Sequence, residues 1–280
     1  MNTTGRSVAS ATPVMPSRGA SSRLSPTFAA ASTRRMVAGR TIRCSACHHE
    51  WTRGESKTSA PLPSSSADLQ ASFPDRSAVD PARWEKVAAL AAASPPTEPG
   101  YDWSHYQQVF ARDEVADCDP RDLLSFVNET PGATNATTAS FNRAWKTMGE
   151  REASARTRNT IRYLLYGPTT VPLPDRLTRL ILGQGGLGMT GFKEPTLTRV
   201  LVASDPDSYL PISTYGGARG GKKEIAQRVY GLTLPEVAKE QFTIGRLILW
   251  SNDLLVDLVE DEFDDLTQAA AFLTTVKVPA

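Results

Sequence analysis

By type and spacing, the residues best suited to chemistry are Gly216-Gly217-Ala218-Arg219-Gly220-Gly221-Lys222-Lys223. The run matches G-x-x-x-x-G-K, a pattern in which backbone amides wrap phosphates and the lysine reaches the outer ones. A following Ser or Thr then holds Mg²⁺. Lys223 stands at that Ser/Thr position, so the magnesium ligand is missing. The preceding Tyr209–Tyr215 contains Pro211 and makes a poor central strand. Nucleotide hydrolysis is therefore not expected. What remains is a flexible basic loop opening a helix, with Arg219, Lys222 and Lys223 as candidate contacts to an anion or to nucleic acid.

A second candidate is Arg43-Cys44-Ser45-Ala46-Cys47-His48-His49-Glu50-Trp51. Two thiolates at C-x-x-C spacing can hold one face of a tetrahedral zinc ion, and the segment resembles half of a zinc-ribbon knuckle. Cys44, Cys47 and His48 are the candidate ligands, one short of a closed site. No second Cys-x-x-Cys follows, so the pair reads first as a broken half-knuckle or a fortuitous pair, and second as a metal site completed by a partner chain. Cys118 and His105 lie far away in sequence and read as structural. No Ser/His/Asp arrangement is evident, and no catalytic residue is assigned.

These residues sit in two chemically unlike stretches. Residues 1–49 contain no acidic side chain, and residues 1–99 carry a net charge of +5 against −4 for 100–280. The acidic balance of the longer part lacks the overall basic field of a dedicated nucleic-acid binder, although a local patch is compatible with it. Three cysteines do not make a disulfide framework, which points to a reducing, cytoplasmic setting. No apolar run approaches the roughly 18 residues that span a bilayer, so no membrane association is expected.

The expected fold class is mainly α, a compact multi-helix domain preceded by a long disordered leader. Residues 1–79 read as an Arg/Ser/Ala/Pro-rich leader and linker with the Cys-x-x-Cys island at 44–51, and residues 80–280 as the helical domain. A transit peptide is the other reading of the leader. Asp80-Pro81 and Asp119-Pro120 are N-cap and first-turn signals. Helical periodicity continues through 153–166, 174–182, 194–203, 222–230 and 266–276, broken at 167–174, 183–191, 204–208 and 216–221. The strongest stretch is Thr243–Val259, with Ile244, Leu247, Ile248, Ser251, Leu255, Leu258 and Val259 on one stripe. Its competitor is a strand through Leu247–Trp250 with Ser251 as an N-cap. Asn252 lies on the stripe side, and a buried amide must find partners there. It serves either as a core hydrogen bond or as a ligand contact. Arg143, Lys146, Arg151, Arg156, Arg158 and Arg162 read as a solvated face or a phosphate-tracking one. The acidic run Glu260, Asp261, Glu262, Asp264 and Asp265 reads as a surface linker that caps the last helix.

Several short segments between about 160 and 276 resemble a helical region of bacterial modification-dependent, 5-methylcytosine-specific restriction proteins of the AAA+ class. They are Asp205–Pro211, Gly221–Ala226, Gly245–Leu247, Trp250–Leu255, and Phe263 followed by Ala269–Leu273. The resemblance implies a bacterial, non-enzymatic accessory or target-sensing module of a DNA-defence system. Its expected partner would be an AAA+ restriction subunit, with DNA as the other candidate. No motor or nuclease module accompanies it in these 280 residues. The alternative is a small zinc-knuckle regulatory or DNA-binding protein, in which zinc would be the cofactor.

Overall fold

Asp80 and Asp119 each accept a backbone amide, from Arg83 at 3.0 Å and Arg121 at 2.8 Å, and each precedes a proline that cannot donate. Helices α1 (Pro81–Ala92) and α3 (Pro120–Glu129) start there, with the shorter α2 (Ser104–Val109) between them. Both starts use orphan amides of the first turn as the sequence predicts. This computed structural model of the protein describes residues 36–37, 41–43, 50–52, 69–71, 73–94, 100–237 and 243–279. The chain divides into two units, Met1–Ser59 and Ala60–Ala280.

In the first unit, β1 (Met36–Val37), β2 (Thr41–Arg43) and β3 (Glu50–Thr52) form an antiparallel sheet in that order, with Ile42 opposite Met36 and Trp51. The chain is therefore mainly helical and not all-α, and the leader is not featureless. Residues 73–79, which the sequence reading places in the disordered leader and linker, are ordered against the helical body. Phe73 packs edge-on against Trp250 at 5.7 Å, Val79 is buried, and Arg76 lies 4.3 Å over the Trp84 ring. Arg76 also reaches the Asp261 carboxylate at 2.5 Å. Aromatic and cationic anchors hold residues 73–79 on the helical body, although their Pro- and Ser-rich surroundings read as linker.

The body continues with α4 (Asn135–Met148), α5 (Glu150–Tyr166), α6 (Leu173–Ile181) and α7 (Glu194–Ser204). Next come α8 (Lys222–Ile225), extended by a π-helical turn over Ala226–Tyr230, then α9 (Ile244–Asp257) and α10 (Leu266–Thr275). Gly149 (φ 78°) separates α4 from α5. The stretch 243–259 is a helix, not a strand. Its Leu247 and Leu255 are fully buried. Helix α9 crosses α6 at very short range: a β-carbon on Gly245 would lie 1.9 Å from the Pro174 carbonyl. The Gly245 amide donates to Thr178 Oγ1 at 3.0 Å, and Arg246 pairs with Asp175 beside it. No described helix is long and apolar enough to cross a membrane.

One device recurs at the helix ends. The last carbonyls of a helix lack intrahelical donors and carry partial negative charge, so cations gather there. Arg83 of α1 donates to the Arg228 and Val229 carbonyls that close the π turn. Arg228 donates to Leu273 O at 2.8 Å and to Val276 O, closing α10. Arg199 of α7 does the same for α3. Arg83, Arg199 and Arg228 thus use their charge inside the fold.

Candidate functional site

The glycine-rich loop leads into α8, and its folded form differs from the phosphate cradle that its sequence suggests. The Lys222 amide donates to Thr214 O at 2.9 Å, and the Lys223 amide to Tyr215 O at 3.0 Å. The Gly220 amide donates to Glu224 Oε2 at 3.1 Å. Three amides are therefore consumed by the chain itself. The glycines serve close self-contact: a β-carbon at Gly221 would lie 2.5 Å from the Gly217 nitrogen. Gly220 has φ +72°, which favours glycine directly.

The three predicted contact residues are not presented together. Arg219 is exposed. Lys223 is ion-paired with Glu236. Lys222 is only 1 % exposed and faces inward, which corrects its placement as a surface contact. Its ammonium donates to Ile248 O at 3.2 Å and to Asn252 Oδ1 at 3.3 Å. The helical stripe explains the inward turn. Lys222, Ile225, Ala226 and Val229 recur at i, i+3, i+4 and i+7, and all four are buried. Burial pushes the lysine pKa down to about 7, while the charges of Asp253 and Glu194 oppose that fall.

Asn252 is buried and completes the junction. Its Oδ1 accepts the Leu210 amide at 3.0 Å as well as the lysine, and its Nδ2 donates to Ser208 O at 2.8 Å. One amide side chain therefore ties α9 to the turn 205–211 and to the start of α8. Glu194, at the start of α7, accepts the Tyr215 amide, and burial raises its pKa. Sequence reasoning missed Glu194 and Tyr215. A lone acid before an apolar helix was the available signal for the first, and none existed for the second.

On the outer side of α8 the loop roofs a groove of about 490 Å³. Gly216, Gly217, Ala218, Gln227, Thr233 and the almost fully buried Leu234 line it, with Lys223, Glu224 and Arg228. The charged lining residues are already engaged, Lys223 with Glu236 and Arg228 with Glu224 at 2.7 Å. Thr233 Oγ1 donates to Gln227 Oε1 at 2.8 Å. The surface offered is glycine backbone, methyl groups and a leucine, edged by internally paired polar groups.

The remaining candidates are dispersed. Cys44, Cys47 and His48 lie outside the described residues. Among the described residues no group of three or more His, Cys, Asp or Glu is placed to hold a metal. His105 is exposed and meets Asp122 at 3.0 Å. Cys118 is half-buried, and burial raises its thiol pKa. Of the basic stretch, Arg156 pairs with Glu152, and Arg158 turns inward to the Cys118 carbonyl. In the acidic run, Asp261 pairs with Arg76, and Asp265 caps α10 by accepting the Thr267 amide at 2.6 Å.

Comparison with known proteins finds no matching family model, no matching curated protein and no matching solved structure. The descriptors restriction system, DNA binding, zinc binding and bacterial, which the sequence resemblances suggested, have no support in these comparisons and are withdrawn.

Proposed function

We propose that the helical body is a non-catalytic binding module, cytoplasmic in setting, and that the groove beneath Gly216–Ala218 receives an extended segment of a partner protein. The observation that carries this reading is the groove itself: about 490 Å³, lined in part by glycine backbone and Leu234, with its charged residues already ion-paired, Arg228 with Glu224 and Lys223 with Glu236 outside the lining. Such a surface suits an aliphatic side chain whose flanking backbone meets Gln227 and Thr233. It suits a charged ligand poorly, because Lys223 and Arg228 would first have to leave their partners. Proton chemistry is disfavoured for the same reason, since Glu224 is held by Arg228 and by the Gly220 amide.

The test is selection of peptides from a random library on the purified full chain. Selected peptides are expected to share an aliphatic anchor and to lose at least about tenfold in affinity when Ala218→Trp fills the groove. Ala218 is exposed, so that change leaves the core intact. The control is Arg143→Gln on the exposed face of α4, which should leave binding unchanged. Peptides indifferent to Ala218→Trp, or a library that yields no saturable binder, would end this reading.

A further inference from the structure

A second cavity, of about 270 Å³, lies on the C-terminal half of α5 and has a chemistry opposite to the groove. Asn159, Arg162, Tyr163 and Tyr166 line it from one helical stripe, at i, i+3, i+4 and i+7, and Arg112 closes it from the turn after α2. Gly167, at the end of the helix, forms its floor. A β-carbon there would lie 2.5 Å from the Tyr163 carbonyl and 2.7 Å from Arg176 Cδ, so only glycine leaves room.

The charge at this place is one-sided. The Arg112 guanidinium stacks 4.7 Å over the Tyr166 ring, and the Tyr166 hydroxyl is fixed by donating to Phe110 O at 2.7 Å. Arg162 is exposed and has no ion-pair or hydrogen-bond partner among the described residues. Two more arginines back the neighbouring Tyr163. Arg176 Nη1 donates to Tyr163 O, and Arg179 Nη1 to the Tyr163 hydroxyl, both at 3.4 Å. Arg176 Nε is buried with no partner among the described residues. None of the four is ion-paired to a described carboxylate; Asp113, adjacent to Arg112, is the acid whose charge reaches Tyr166. The end of α5 explains part of this gathering. A helix C-terminus, however, carries only about half a negative charge, which leaves most of the charge of the two lining guanidiniums, Arg112 and Arg162, unbalanced.

We propose that this cavity binds a phosphate monoester of a small molecule. Two arginine forks and the Asn159 amide can together meet three terminal phosphate oxygens, whereas a carboxylate would occupy one fork and leave the rest unpaired. The tyrosine faces offer a surface for the organic part of the ester. This site is separate from the groove, so either reading can fail alone.

Calorimetric titration of the full chain with inorganic phosphate and with phenyl phosphate tests the proposal. Both should saturate at one site, with phenyl phosphate the tighter, and acetate and benzoate should bind at least about tenfold more weakly. Arg162→Gln and Asn159→Asp should each weaken phosphate binding by about tenfold or more, with the thermal midpoint unchanged, because both residues are exposed. Arg143→Gln removes the same charge from another face and should have no effect. Absence of saturable heat, equal binding of acetate, or an equal loss in Arg143→Gln would overturn it.

Discussion

Arg199 and Lys222 are 3 % and 1 % exposed, and neither has an ion-pair partner among the described residues, yet they are housed in contrasting ways. Arg199 lies across the end of α3. Its Nη1 donates to Thr130 Oγ1 at 2.9 Å and to Thr130 O at 3.4 Å, its Nη2 donates to Val127 O at 3.1 Å, and its carbon centre sits 5.6 Å from the Phe126 ring. Lys222 has two acceptors, Ile248 O and Asn252 Oδ1, one of which already serves a backbone amide. A planar guanidinium spreads its charge and its donors over a helix terminus, while an ammonium concentrates both at one point. Burial lowers the arginine pKa to about 10 and that of the lysine, the more deeply buried of the two, to about 7. The α3–α7 junction stays charged at neutral pH, and the α8–α9 junction is poised to titrate.

The largest expected effect is at Arg199. Arg199→Ala removes a buried side chain and strands the carbonyls of Val127 and Thr130, a loss of about 4 kcal/mol. Arg199→Lys should recover less than half of this, because a point charge cannot reach both carbonyls. Urea unfolding followed by circular dichroism measures both. A loss below about 1 kcal/mol for Arg199→Ala would show that α3 ends without needing the guanidinium, and the comparison would collapse.

The contrast bears on what could be read from sequence. Helix starts were legible because Asp80-Pro81 and Asp119-Pro120 carry local rules that tertiary structure rarely overrides. Helix α9 was legible from its stripe, and Asn252 from its place on that stripe. The glycine-rich motif points Lys222 outward, whereas the apolar periodicity of Ile225, Ala226 and Val229 places it inside, where the structure has it. The periodicity was the better guide, since it reflects burial of a whole face and not one residue's chemistry. Arg199 stood alone within an apolar run, but the carbonyls it meets come from residues about 70 positions earlier, and no local pattern encodes that. The same holds for the cavity on α5: of its lining only Arg162 belongs to the basic stretch that the sequence offers, and Arg112 joins it only through the fold.

The next effect distinguishes the two cations by pH. The unfolded chain keeps the Lys222 proton up to its ordinary value near 10.5, whereas the folded chain releases it near 7. Between those values the unfolded state binds more protons, so the lysine's contribution to stability rises with pH. Below about 7 both states are charged, and the folded state carries the full cost of burial. Lys222→Met should therefore be most favourable relative to the parent at pH 6 and least at pH 9, a change of about 3 kcal/mol. Asp253 and Glu194 face the lysine and remain in both proteins, so the difference between the proteins reports chiefly on Lys222. For Arg199→Met the same difference should stay flat over this range, because the arginine holds its proton throughout. A flat Lys222→Met profile would mean that the lysine is as well served as the arginine.

The smallest effect sharpens the account of how each cation is held. Thr130 Oγ1 accepts from Arg199 and donates to Phe126 O at 2.6 Å, so it links the guanidinium to a third carbonyl of α3. Thr130→Val keeps the shape and removes the hydroxyl. Because Arg199 retains Thr130 O and Val127 O, the expected loss is only about 1 kcal/mol. The matching change at the other junction is Ser251→Ala, where the hydroxyl donates to Ile248 O at 3.1 Å, the same carbonyl that Lys222 uses. There the serine competes with the cation for an acceptor where Thr130 supplies one, so removing it should cost less than about 0.5 kcal/mol. Paired urea titrations at pH 7 decide between these roles. If Ser251→Ala cost as much as Thr130→Val, the serine would be holding the Lys222 junction together, and the ammonium would owe its position to α9's own hydrogen bonding more than to Asn252.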